Sequence, residues 1–116
     1  MAVPLRPTDV LQVLRDARDL LAQGWTQGTS ARNIDGEPVG VSSLDAVSFC
    51  ASGACRRVDS LFGGVAVLEL AQTIAPLTYS GESIVIHWND QPGMTKEKVL
   101  LGFDHAITQY KAVHGV

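Results

Sequence analysis

From Thr8 to about Gln23 apolar residues recur every three or four positions: Val10, Leu11, Val13, Leu14, Ala17, Leu20 and Leu21 share a face, opposite Arg15, Asp16, Arg18 and Asp19. The spacing predicts an amphipathic helix with Thr8 as its N-cap and Gly24 as its stop. The period then disappears. Gly24, Gly28, Gly36 and Gly40 punctuate a polar stretch, and Asp35-Gly36 is suited to a tight turn, so a small hairpin of residues 31–34 with residues 37–41 is expected. Two strands alone are barely stable, so this hairpin must lean on helices.

The stretch SLDAVSFCASGACRRVDSLF, residues 43–62, has no charge between Asp45 near one end and Arg56-Arg57 near the other, the order that a helix dipole favours. It reads as a second helix capped by Ser42 or Ser43. Ala46, Phe49, Cys50, Gly53 and Ala54 lie on one face, and Val47, Ala51 and Val58 on another, so the helix would be buried on most sides. After Gly63-Gly64, read as a break, residues 65–75 suggest a third helix ended by Pro76. In it Val67, Leu68, Ala71, Ile74 and Ala75 face inward, and Glu69 and Gln72 outward. SIVIHW fits two periods: Ile84, Ile86 and Trp88 alternate as in a strand, while Ile84, Val85 and Trp88 share one side of a helical turn. A short helix is the expectation. The last helix is marked by Thr95 as cap, Glu97 in the first turn, and a stripe of Val99, Leu100, Phe103, Ala106, Ile107, Tyr110 and Val113. The fold class is therefore mainly α, with four to five packed helices and a small β-hairpin inserted after the first.

Composition narrows the partners. A chain of 116 residues, 46% hydrophobic and 18% charged, suits a single globular domain over residues 1–116 that hides roughly two-thirds of its unfolded surface. Its net charge of -3, with Arg56-Arg57 as the one basic pair, argues against nucleic acid as a partner. The start MAVPLRPTDV lacks a signal-like apolar run, and the window from Leu61 to Tyr79 carries Glu69 and Gln72, so a cytoplasmic chain with no membrane partner is expected. Cys50 and Cys55, five apart on a helix, would hold their Cα atoms about 7.5 Å apart with diverging side chains, so free thiols follow.

Candidate chemistry sits in two clusters at irregular junctions. HWNDQPGM, residues 87–94, contains the ingredients of a sharp turn: Asx side chains that bond nearby amides, Pro and Gly. Trp88 would anchor it, its indole N–H seeking a partner. GWTQG, residues 24–28, is the other. If Trp25, Gln27, Trp88, Asn89 and Asp90 lie near one another, they form a concave polar patch floored by aromatics, the expected binding residues. No metal is expected, since His87 and Asp90 lack a second paired ligand; His105 falls on a polar face and His114 in a fraying end. Phosphate-loop, dinucleotide and hydrolase-elbow motifs are absent, so no cofactor is implied. Cys50 sits in an uncharged helix without a visible activating neighbour, and no catalytic residue is assigned.

The series Trp25-x-Gln27-Gly28, Ala31-Arg32, Asp35-Gly36, Ala46, Phe49-Cys50-Ala51 with Gly53-Ala54, Trp88-Asn89-Asp90, Thr95, Val99 and Phe103-Asp104-x-Ala106-Ile107 resembles a family of small uncharacterised bacterial and phage proteins. Phe49 stands where a tryptophan is more usual in that family. The resemblance implies one compact domain and no established activity. The leading reading is an intracellular module that binds a protein or small ligand, encoded on this resemblance by a phage or mobile element. Its rival is a small thiol- or carboxylate-dependent enzyme using Cys50 or Asp90 with His87. A scaffolding homodimer is the third reading.

Overall fold

The computed structural model describes residues 6–76 and 81–116. The first five residues of the N-terminal stretch and the end of the 61–79 window lie outside them. The order is α1 (Pro7–Gln23), β1 (Ala31–Arg32), β2 (Ser48–Phe49), α2 (Ala51–Val58), α3 (Gly63–Ile74), α4 (Glu82–Asn89) and α5 (Lys96–His114). Among the described residues, five helices and a two-stranded antiparallel sheet after the first helix match the expected class. No described helix is long and apolar enough to cross a membrane.

Helix α1 buries Val10, Leu11, Val13, Leu14, Ala17 and Leu21, the face its periodicity marks. It packs against α5 and α2, and α3 closes the group by touching all three. Phe103, Leu14, Leu21, Leu70 and Phe49 are the largest apolar side chains fully enclosed, and Val85 carries α4 into the same cluster. At the start of α1 the cap is Arg6, with Pro7 in the first turn, rather than Thr8. Proline's fixed φ and missing N–H suit that position, so the helix begins two residues earlier than a cap at Thr8 would place it. Gly24 does stop the helix, in extended backbone.

The stretch read as one long second helix is the main correction. Residues 46–49 are not helical: Val47 N–H donates to the Arg32 carbonyl, Phe49 N–H to the Gly24 carbonyl, and Phe49's carbonyl accepts from Thr26 N–H. Long-range backbone pairing outweighs the local helical spacing of Ala46, Phe49 and Cys50, so α2 starts at Ala51, and Cys50 rather than Ser42 or Ser43 is its N-cap. The turn at Asp35-Gly36 exists, with Asn33 N–H donating to the Glu37 carbonyl and Val39 N–H to that of Ala31. The regular partner of β1 is nevertheless β2, with Ala31 opposite Phe49 and Arg32 opposite Ser48; Pro38 only bridges Arg32. A proline there offers no N–H to extend the ladder.

Gly63-Gly64 opens α3 instead of breaking the chain. In that helix Leu70 is buried and Leu68 is exposed, the reverse of the expected place for Leu68. SIVIHW is helical, within α4. Thr95 caps α5 by accepting from Lys98 N–H at 3.2 Å. That helix runs on through His114, whose ring lies 4.1 Å from that of Tyr110, so the expected fraying there is not found; Val113 leaves the stripe and is exposed.

Candidate functional site

The polar centre of the molecule is a single side chain. Asn89, at the end of α4, is fully buried. Its Oδ1 accepts from the Trp25 indole N–H at 2.8 Å and from Ala51 N–H at 3.0 Å, while its Nδ2 donates to the Thr26 carbonyl at 3.1 Å and to Asp90 Oδ1 at 3.0 Å. All four positions of the amide are occupied, which is what allows so polar a group to sit without water. The Ala51 N–H is one of the first-turn amides of α2 that no helical carbonyl can reach, so Asn89 completes a cap that Cys50 shares by accepting from Gly53 N–H.

Around this amide the two junctions are tied together. Gln27 Nε2 donates to the carbonyls of Asn89 at 2.9 Å and Gln91 at 3.0 Å. Gly28 N–H donates to Asp90 Oδ1 at 3.0 Å, from a left-handed backbone (φ 83°) that glycine adopts freely. Trp25, Gln27, Asn89 and Asp90 therefore meet. Trp88 does not join them: it lies over Gly102 of α5, in a groove shared with Ile74, Lys98, Leu101 and His105.

Beside the tied junction is a cleft of about 100 Å³ lined by Gly28, Thr29, Ser30, Cys50, Ile86 and Asp90. No aromatic ring floors it. Thr29, Ser30 and Ile86 escape a reading of the sequence alone, since no local pattern marks them and chain reversal brings them together. Asp90 is exposed, and Asn89 and Gly28 both bond its Oδ1. Arg32 lies nearby, but it directs Nε to Thr26 Oγ1, Nη1 to the Gly36 carbonyl and Nη2 to the Gln27 carbonyl. The other arginines near α2 are similarly occupied. Arg56 makes a two-point pair with Glu82 at 2.8 and 2.7 Å, and Ser52 Oγ donates to the same carboxylate. Arg57 donates to the carbonyls of Val41 and Ser43. The Glu82 carboxyl is held below its ordinary range, chiefly by the Arg56 hydrogen bond.

The thiols are poorly placed for nucleophilic work. Both are free and buried. Burial pushes the Cys50 thiol up; the Gly53 N–H opposes it in part, and the smaller effects of the Asp90 and Glu82 charges add to the rise. Burial takes Cys55 to about 12. Iodoacetamide at neutral pH is therefore expected to leave Cys55 unmodified in the native protein and to alkylate it once urea unfolds the chain, as read by intact-mass spectrometry. Rapid native labelling of Cys55 would show that α2 opens far more readily than its packing implies. Among the described residues no group of three or more His, Cys, Asp or Glu side chains is placed to hold a metal ion.

A model of a family of unknown function, DUF6197, matches residues 5–109. The chain belongs to that family. The DUF6197 match takes in both junctions and all five helices, apart from the end of α5. Membership agrees with the resemblance to a family without an established activity. No curated protein and no solved structure matches the chain.

Proposed function

We propose that this chain is a binding module whose contact point is the Asp90 carboxylate at the rim of the junction cleft, and that it takes a small cationic group such as the ammonium or guanidinium of a basic side chain. The observation carrying this reading is the arrangement of Asp90 itself: Oδ1 is fixed by two hydrogen bonds to a rigid frame while the residue stays exposed. A carboxylate held in this way loses little entropy when it binds, and a charge-assisted hydrogen bond to it is stronger than a neutral one. Trp25, Gln27 and Asn89 act as the frame, whereas Cys50 and Ile86 supply the apolar wall that the stem of a basic side chain would cover. An intracellular, reducing setting suits the two unpaired buried thiols. The thiol enzyme is the weaker reading, because burial of Cys50, with the charges of Asp90 and Glu82, disfavours a thiolate despite the Gly53 N–H that Cys50 accepts.

Titration with methylguanidinium, followed by amide chemical shifts, tests the proposal. Gly28, Thr29, Ser30 and Ile86 are expected to shift with a dissociation constant on the order of 1 mM, typical of a fragment that makes one charged contact. Acetate should leave them unmoved. Asp90→Asn keeps an acceptor for Gly28 and Asn89 but removes the charge, so it should abolish the shifts and leave the urea midpoint unchanged. Equal shifts in parent and variant, or none in the parent, would refute the carboxylate as the contact.

A further inference from the structure

The segment between β1 and β2 displays apolar side chains where a chain normally places polar ones. Ile34 is 84% exposed, Leu44 97% and Val47 47%, and with Asn33, Asp35 and Asp45 they line an open groove of about 440 Å³. The two turns that carry them are tightly held. Asn33 Oδ1 accepts from the amides of Asp35 and Glu37, Gly36 N–H donates to the Asn33 carbonyl, and Ser43 Oγ accepts from Asp45 N–H. Arg57 fixes the second turn from α2 through the Val41 and Ser43 carbonyls. Ile34 and Leu44 are thus presented on braced backbone rather than left loose, and large aliphatic side chains at such tips mark contact surfaces.

The charge of the segment is one-sided. Residues 33–47 contain Asp35, Glu37 and Asp45 and no lysine, arginine or histidine. The flanking arginines, Arg32 and Arg57, spend their guanidinium N–H groups on backbone carbonyls and the Thr26 hydroxyl rather than on these acids. We infer that the groove formed by Ile34, Leu44 and Val47 is a docking surface for a partner-protein segment bearing an aliphatic side chain flanked by lysine or arginine. The aliphatic group would fill the groove, and the basic residues would meet the acidic rim. A second copy of this chain is a poor occupant: a two-fold pairing through the groove would bring the Asp35 and Asp45 carboxylates of both copies together, and like charges across an interface disfavour it. The surface shares no residue with the Asp90 cleft, so either proposal can fail without the other.

The test is selection of a random dodecapeptide library on the full chain, followed by titration of the enriched peptides by fluorescence anisotropy. Enriched sequences should combine an aliphatic residue with lysine or arginine and shift the amides of residues 33–47. Leu44→Ser is expected to weaken them about tenfold or more, as loss of a central apolar anchor does. Asp35→Lys with Asp45→Lys should weaken them comparably, and added salt should do so progressively. These positions are exposed, so the variants should keep the parent urea midpoint. Asp90→Asn should leave the peptides unaffected. Failure to enrich, peptides that bind Leu44→Ser as well as the parent, or selection of acidic sequences would overturn the inference. So would a Leu44-dependent dimer in sedimentation, which would assign the groove to a second copy.

Discussion

Asn89→Ala is expected to lower the unfolding free energy by about 3–5 kcal/mol, since one buried and two half-buried partners each stand to lose a hydrogen bond worth about 1–3 kcal/mol when left unpaired. Those partners are the Trp25 indole N–H, the Ala51 N–H and the Thr26 carbonyl, and they belong to two segments far apart in the chain, the junction after α1 and the start of α2. Water entering the vacated space would recover part of the loss, which keeps the estimate below the simple sum. Against a typical total of about 5–15 kcal/mol, the urea midpoint should fall steeply with little change in slope. Gln27→Ala removes two bonds from a less enclosed side chain and should cost only about 1 kcal/mol. Asn89→Asp separates shape from chemistry. It keeps the acceptor for Trp25 and Ala51 but turns an oxygen toward the Thr26 carbonyl and the Asp90 carboxylate. The new carboxyl would titrate higher in the folded state than in the unfolded one, because burial and Asp90 both disfavour its charge. Its penalty should be full above that folded pKa and shrink as the pH falls through it. An unfolding free energy for Asn89→Ala within about 0.5 kcal/mol of the parent would mean that the junction is an ornament on a fold held elsewhere.

This centre shows how far the sequence could be read. The residue types that build it were visible, because Trp25, Gln27, Asn89 and Asp90 stand beside glycines at the ends of regular stretches. Their roles were not, because the bonds that tie the two junctions join residues 62–64 apart and no local pattern encodes such a partner. Helices α1 and α5 were legible for the opposite reason: burial of one stripe is a local property, and Val10 through Leu21 and Val99 through Tyr110 display it directly. Residues 46–49 misled because small and aromatic residues at helical spacing also suit an enclosed strand. The decision lay with Gly24, Thr26 and Arg32, whose backbone groups pair with this stretch. Once that ribbon forms, Cys50 is at the mouth of α2 and near Asn89, so the misplaced helix start and the unforeseen cleft have one cause.

Gly53→Ala should act at the close approach of α2 to Ser30 and cost about 3 kcal/mol, the upper part of the usual range for overpacking. In the interior of an exposed helix this change ordinarily gains about 1 kcal/mol, so the sign alone discriminates. Here the added methyl would be driven into the backbone carbonyl of Ser30. That oxygen cannot swing aside, because it also accepts from Cys50 N–H at 3.1 Å and so fixes the loop to the start of α2. Relief requires the loop and the helix to separate, and Gly28, Thr29 and Ser30, one wall of the Asp90 cleft, would move with it. The variant should therefore lose stability and shift the Thr29 and Ser30 amides together, even under conditions where most molecules remain folded. Gly40→Ala, where an added Cβ meets nothing within 4 Å, is the matched control and should change stability by no more than about 0.5 kcal/mol. If Gly53→Ala instead raised the urea midpoint, the loop would not be seated on α2 in solution. The rigid frame on which recognition by Asp90 depends would then be lost as well.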